Sequence, residues 1–231
     1  MTVCSHAVTC SNCKVDLQEK PDWMTVDQFC GIFQRNAEAA NLAKGWTVPK
    51  DCIDYIGDYM TKGLYGGDVW GATLQSTKFA RLFPTNPGTW IFQVDQTLLS
   101  NVPYYATRQF GALPRNSTDF DLWVQQGKAV AIKSSLDFYN ELLCANWRIV
   151  LISDRSEKQR EATERNLRAA GYSGWTKLIL DYQFNTNELR IQQDETAVTG
   201  ASGEKTIRIE NLPDKVDQEK FMFFKLPNPM Y

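Results

Sequence analysis

Apolar and polar positions recur along this chain with two different periods, and the change of period divides it. Through the first third the spacing is helical. In residues 49–60, Ile53, Ile56 and Met60 recur on one helical face, and Pro49 stands where a first helical turn accepts proline. Residues 70–83 read as a further helix, set off by Gly66 and Gly67 as a break. Residues 25–44 are rich in Ala, Asn and Gln and are open to helix or extended chain, while residues 1–24 read as an irregular tail. Pro84, Asn86, Pro87 and Gly88 mark a turn.

From there the pattern shortens. Residues 89–95 (T-W-I-F-Q-V-D) predict a strand, and residues 148–153 (R-I-V-L-I-S) a near-continuous apolar strand of the kind covered on both faces. Between them, residues 101–133 form an insertion with a helix around 119–126. A helix over 135–146 then sets Leu136, Tyr139, Leu142 and Leu143 on one side. Ser156 with Gln159 three positions on is a capping box. It opens a helix that runs to about Ala170, where Gly171 stops it. Residues 178–180 and 205–210 (K-T-I-R-I-E) are short strands. Strands separated by helical segments predict a parallel sheet with right-handed crossovers, an α/β fold. Ligands of such sheets bind beyond the carboxyl ends of the strands. Asp95 with Gln93, Ser153, and the segment carrying Asp214 are therefore expected to converge.

Composition narrows the partners. A hydrophobic fraction of 43% with 12% aromatics supports a packed core. A net charge of -2, with both signs mixed, lacks the basic face of a nucleic-acid binder. No apolar run approaches the roughly 18 residues of a membrane span, and the first residues lack the apolar core of a signal peptide. Cys4, Cys10 and Cys13 crowd the N-terminus with His6, but no second ligand pair follows at zinc-finger spacing, so surface disulfides or an irregular tail are favoured. Cys144, in the apolar stretch L-L-C-A-N-W, reads as a buried core thiol. Asn116-Ser117-Thr118 is a glycosylation sequon on an expected loop.

The segment W-I-F-Q-V-D-Q-T-L-L-S-N-V-P-Y-Y resembles the first motif of the plant class B acid phosphatases and vegetative storage proteins, of the haloacid dehalogenase-like superfamily. P-K-D-C-I-D-Y-I-G-D-Y-M at 49–60, R-S-E-K-Q-R-E-A-T-E-R-N-L-R-A-A-G-Y at 155–172 and F-K-L-P-N-P-M-Y at 224–231 support it. The resemblance covers roughly residues 28–183 and the last eight. It implies a Rossmann-like parallel sheet of the haloacid dehalogenase type, with a helical N-terminal segment and a helical cap at about 101–133. All of this forms one domain over 25–231. It also implies a Cys30–Cys52 disulfide, which fits an oxidising compartment, with a vacuolar or extracellular location and a homodimer as family properties.

Family members carry Asp-x-Asp-x-Thr at the first strand end: a nucleophile that also binds magnesium, then a general acid. By resemblance the nucleophile position is Gln93, the general-acid position is Asp95, and Thr97 keeps its place. An amide is a poor nucleophile and removes an anionic ligand from a hard-cation site, so no magnesium is expected. Gln93 is expected to be buried and bonded to backbone. Ser153 takes the phosphate-binding place of the second motif. Asp154 follows where the family has Gly, and its charge repels phosphate. The third motif's Lys has no clear counterpart; Arg190 and Lys205 are candidates. The fourth motif aligns loosely, with Pro213, Asp214 and Asp217. Tyr104 and Tyr105 could line the pocket or pack in a core.

These readings imply a divergent relative that has lost aspartyl-phosphate chemistry and acts in storage or in binding a small molecule. The alternative is a repurposed metal-independent isomerase, cyclase or lyase using Asp95 as general acid/base on a specialised plant metabolite. In that case Asp95→Ala abolishes activity with the fold intact. A residual phosphomonoesterase is the third reading.

Overall fold

The computed structural model describes residues 19–182, apart from 39–41, 43–44 and 84–87. The cysteine-rich N-terminus with its zinc candidates, most of the 84–88 turn, Arg190, the 205–210 strand, Asp214, Asp217 and the C-terminal motif lie outside the described residues.

Three helices come first: α1 (Val26–Glu38), α2 (Ile53–Thr61) and α3 (Leu64–Ala80), with a short 3-10 turn at Lys50–Cys52 after Pro49. Of the ambiguous 25–44 segment, Val26–Glu38 is helical. Thr25 and Gln28 exchange hydrogen bonds at its start, Thr25 N–H to Gln28 Oε1 and Gln28 N–H to Thr25 Oγ1. The break expected at Gly66-Gly67 falls at Gly63, which takes φ +99°, a left-handed conformation that glycine adopts at little cost. Gly66 and Gly67 instead form the first turn of α3, where amides are only beginning to pair. Phe29, Phe33, Val48, Ile56, Met60 and Val69 build a core around the Cys30–Cys52 disulfide, and both cysteines are fully buried.

Next comes β1 (Thr89–Gln93), then β2 (Leu99–Ser100), α4 (Val102–Ala106) and a 3-10 turn at Gln109–Gly111. The chain continues through α5 (Ser117–Gln126), β3 (Val130–Ala131), α6 (Lys133–Cys144), β4 (Arg148–Ile152), a 3-10 turn at Glu157–Gln159, α7 (Arg160–Ala169) and β5 (Lys177–Ile179). The expected parallel sheet forms with strand order β1-β4-β5. Central β4 buries Ile149, Val150, Leu151 and Ile152, which explains its uninterrupted apolar run. Phe92, Val94, Leu151 and Leu178 of the sheet region join Phe138, Tyr139 and Leu142 of α6 and Leu167 of α7 in the main core. The Ser156 cap operates as expected: Ser156 Oγ accepts from the Lys158 N–H and Gln159 Oε1 from the Ser156 N–H.

Cys144 is exposed, against expectation. It lies two residues beyond buried Leu142 on α6, about 200° around the helix, so the same rotation that buries Leu142 turns the thiol outward. Between β2 and β3, α4 and α5 hold a small aromatic cluster of Tyr104, Tyr105, Phe120 and Trp123. The adjoining turn, with Gln109 and Phe110 both at positive φ, lays the Phe110 ring against Gly57 of α2. No helix among the described residues is long and apolar enough to cross a membrane.

Candidate functional site

Strand register assembles the site. Gln93 pairs with Ile152, and Ile152 with Ile179, so the three chains leave the sheet side by side. Beyond that point the Val94 N–H donates to the Ile152 carbonyl, Ser153 N–H to Ile179, Tyr182 N–H to Ser153 and Asp181 N–H to Arg155. Local pattern placed Asp95 and Ser153 at strand ends; the pairing makes them neighbours.

Asp95 is the centre of what forms there. Arg155 grips it from two nitrogens, Nε to Oδ2 at 2.8 Å and Nη2 to Oδ1 at 2.7 Å. Ser153 Oγ donates to Oδ2 at 3.3 Å and Asn101 Nδ2 to Oδ1 at 2.9 Å. The guanidinium is 2% exposed and the carboxylate 12%. The remaining Arg155 nitrogen, Nη1, donates to Thr163 Oγ1 of α7, and the Arg155 N–H donates to Ser153 Oγ. Two-pronged pairing in a buried site is the strong form of the interaction. It also bears on Asp95→Ala: removing this carboxylate strands a buried charge, so a loss of stability accompanies any loss of activity.

Arg155 is the residue that sequence reasoning missed. Its only local signal was a lone basic residue two positions past Ser153; what it bonds depends on β1 lying against β4.

The other expected site residues divide. Gln93 is exposed at the tip of β1, not buried against backbone. Side chains alternate across a strand, so with Phe92 and Val94 turned into the core Gln93 faces outward. Thr97 is half-buried in the turn after Asp95, where Gln96 takes φ +58°. Ser153 is fully buried and committed to Asp95 and Arg155. Asp154, between them, is exposed. Tyr104 is 4% exposed, with its hydroxyl donating to the Asn116 carbonyl, and so belongs to the interior of the α4–α5 cluster. Tyr105 is half-buried. Burial raises its phenol above the ordinary range; the Arg115 charge opposes this, and Tyr104, Asp95 and Asp154 add to it. The Tyr105 phenol therefore sits in the field of the strand-end carboxylates.

Several buried polar atoms beside Asp95 have no hydrogen-bond partner: Asn101 Oδ1 and both amide atoms of Gln96. Magnesium, implied by the fold family, takes hard anionic oxygens. Among the described residues no three His, Cys, Asp or Glu side chains are grouped so as to hold a metal. Gln93 brings a neutral amide, and both Asp95 oxygens already face a guanidinium. The described residues do not fit that ion.

A parallel sheet carrying this strand-end site defines a haloacid dehalogenase-type protein. The chain belongs to the HAD superfamily, subfamily IIIB (acid phosphatase), whose family profile matches residues 15–231. It is 33% identical to acid phosphatase 1 of Solanum lycopersicum over 92% of this chain and 87% of that protein. It is 31% identical to the stem 28 kDa glycoprotein of Glycine max over 90% and 85%, and 28% identical to vegetative storage protein 1 of Arabidopsis thaliana over 87% and 78%. The fold is similar to that of a class C acid phosphatase from Bacillus anthracis, with a TM-score of 0.50 and 23% identity over 62% of this chain and 64% of that one.

Proposed function

We propose that this member of the acid phosphatase family has lost aspartyl-phosphate chemistry and serves in storage or in binding a small molecule. The observation that carries the reading is the pair of strand-end residues after Phe92. Gln93, at the place of the family's nucleophile, offers an amide. Asp95, at the place of its general acid, has both oxygens gripped by Arg155. A proton transferred to either oxygen must displace a donor already bonded there, from Arg155 or Ser153 at Oδ2 and from Arg155 or Asn101 at Oδ1. This weighs equally against phosphoryl transfer and against the repurposed acid/base enzyme, because both need that carboxylate to exchange protons. Loss of the magnesium site belongs to the same proposal and is supported by the donor set at the strand ends.

The test is turnover of p-nitrophenyl phosphate by the purified chain, with and without magnesium, from acid to neutral pH. The expected rate equals the protein-free blank. Sustained turnover, or a covalent phosphorylated form trapped during it, overturns the proposal.

A further inference from the structure

We infer that this chain carries an N-linked oligosaccharide on Asn116, at the junction where the loop after the Gln109–Gly111 turn enters α5. Asn116-Ser117-Thr118 is the one Asn-x-Ser/Thr sequence among all 231 residues, and its middle position is not proline. A sequon by itself is common; what singles this one out is how the fold presents it.

All three of its residues are exposed. The loop is tied down through backbone oxygens. Arg108 Nη2 donates to the Pro114 carbonyl at 2.7 Å, and the Asn116 carbonyl accepts from the Tyr104 hydroxyl at 3.1 Å and from the Phe120 N–H at 3.0 Å. Asn116 itself is extended, with φ -95° and ψ 119°, and it caps α5 by accepting from the Asp119 N–H through Oδ1 at 3.1 Å. That bond uses the oxygen of the amide. Nδ2, the atom that takes a sugar, donates to nothing among the described residues.

The transfer leaves this arrangement whole. The bond from Nδ2 to the anomeric carbon forms as the bond from that carbon to a polyprenyl pyrophosphate carrier breaks. One Nδ2 proton departs, the carrier leaves as its pyrophosphate, and no group is oxidised or reduced. The product is still an amide, so Oδ1 keeps its lone pairs for the Asp119 N–H, and the bulky polar group is added at an exposed position. A separate observation fits the compartment in which this transfer takes place. Cys30 and Cys52 are joined in a disulfide, a bond that forms and persists on the oxidising secretory route.

The chain isolated from the tissue that makes it is digested with peptide N-glycosidases F and A in heavy-oxygen water, and its peptides are read by mass spectrometry. The peptide holding Asn116 is expected to be freed of a glycan and to gain a heavy-labelled carboxylate at that residue. In parallel the full chain is produced behind a secretion signal in plant cells. There the native sequence and Thr118→Ser are expected to show a mobility step that the enzymes remove, and Thr118→Ala none. Thr118→Ala leaves the Asn116 cap in place, unlike Asn116→Gln. The step is read on cell-retained as well as secreted protein, so a folding defect does not hide it. An unmodified Asn116 in the tissue protein, no step in the native sequence sent through the secretory route, or a step that survives Thr118→Ala each overturns the inference.

Discussion

Replacing Asp95 by Asn removes one charge from a pair whose other half cannot reach water. The Arg155 side chain is 2% exposed, and two of its three nitrogens point at the lost carboxylate. Leaving one member of such a pair costs about 3–5 kcal/mol. Against a whole-domain stability of about 5–15 kcal/mol this is a large share. With a urea m-value of about 2 kcal/mol/M, the unfolding midpoint of Asp95→Asn falls by about 1.5–2.5 M. The companion variant separates charge from packing. Arg155→Met in the Asp95→Asn background removes the stranded cation, and replacing both members of a buried pair is often near neutral, so most of the loss is recovered. Equilibrium unfolding followed by circular dichroism reads all four corners of this cycle. An Asp95→Asn protein within about 1 kcal/mol of the native one, or a double variant no more stable than the single, refutes the reasoning.

Three further outcomes follow from the same structure. Cys52→Ala opens a link between residues 22 apart and lowers stability by about 3 kcal/mol, measured by urea unfolding without reductant; an unchanged midpoint refutes it. Gly57→Ala places a Cβ 2.7 Å from Phe110 Cε2 and lowers thermal stability by about 1–3 kcal/mol, although alanine is otherwise the better helix residue; a more stable Gly57→Ala protein denies the Phe110 contact. Burial raises the Tyr59, Tyr65, Tyr139 and Tyr172 phenols above their usual value near 10. Because the folded state holds these groups neutral, their contribution is fully present below about pH 10 and is lost as the pH rises above it. Phenolate absorbance of these tyrosines should appear together with loss of the circular dichroism signal, and ordinary titration with the fold unchanged contradicts this.

The aromatic anchors give the same picture of where local pattern suffices. Tyr139 and Tyr172 meet edge to face in the core, and their hydroxyls donate to the Ser173 and Leu98 carbonyls. The periodicity of α6 placed Tyr139 on the buried face, but nothing in the spacing announced its partner 33 positions away or the acceptor in the β1–β2 turn.

What the sequence by itself determined was local. Helical spacing marked α2 and α6, an uninterrupted apolar run marked β4, Ser156 with Gln159 marked a helix start, and a short motif marked the family. These signals are legible because each depends on residues within one or two turns of one another. Where the expectation failed, rotation about an element or a distant neighbour decided. Gln93 is exposed because of the way β1 faces the core, and Cys144 because of the turn it occupies on α6. The Arg155 grip on Asp95 joins residues 60 apart and exists only because parallel pairing of β1 with β4 brings their carboxyl ends together. Charge placement at the site is thus a property of strand register, and register is settled by burying whole faces of the sheet against α6 and α7.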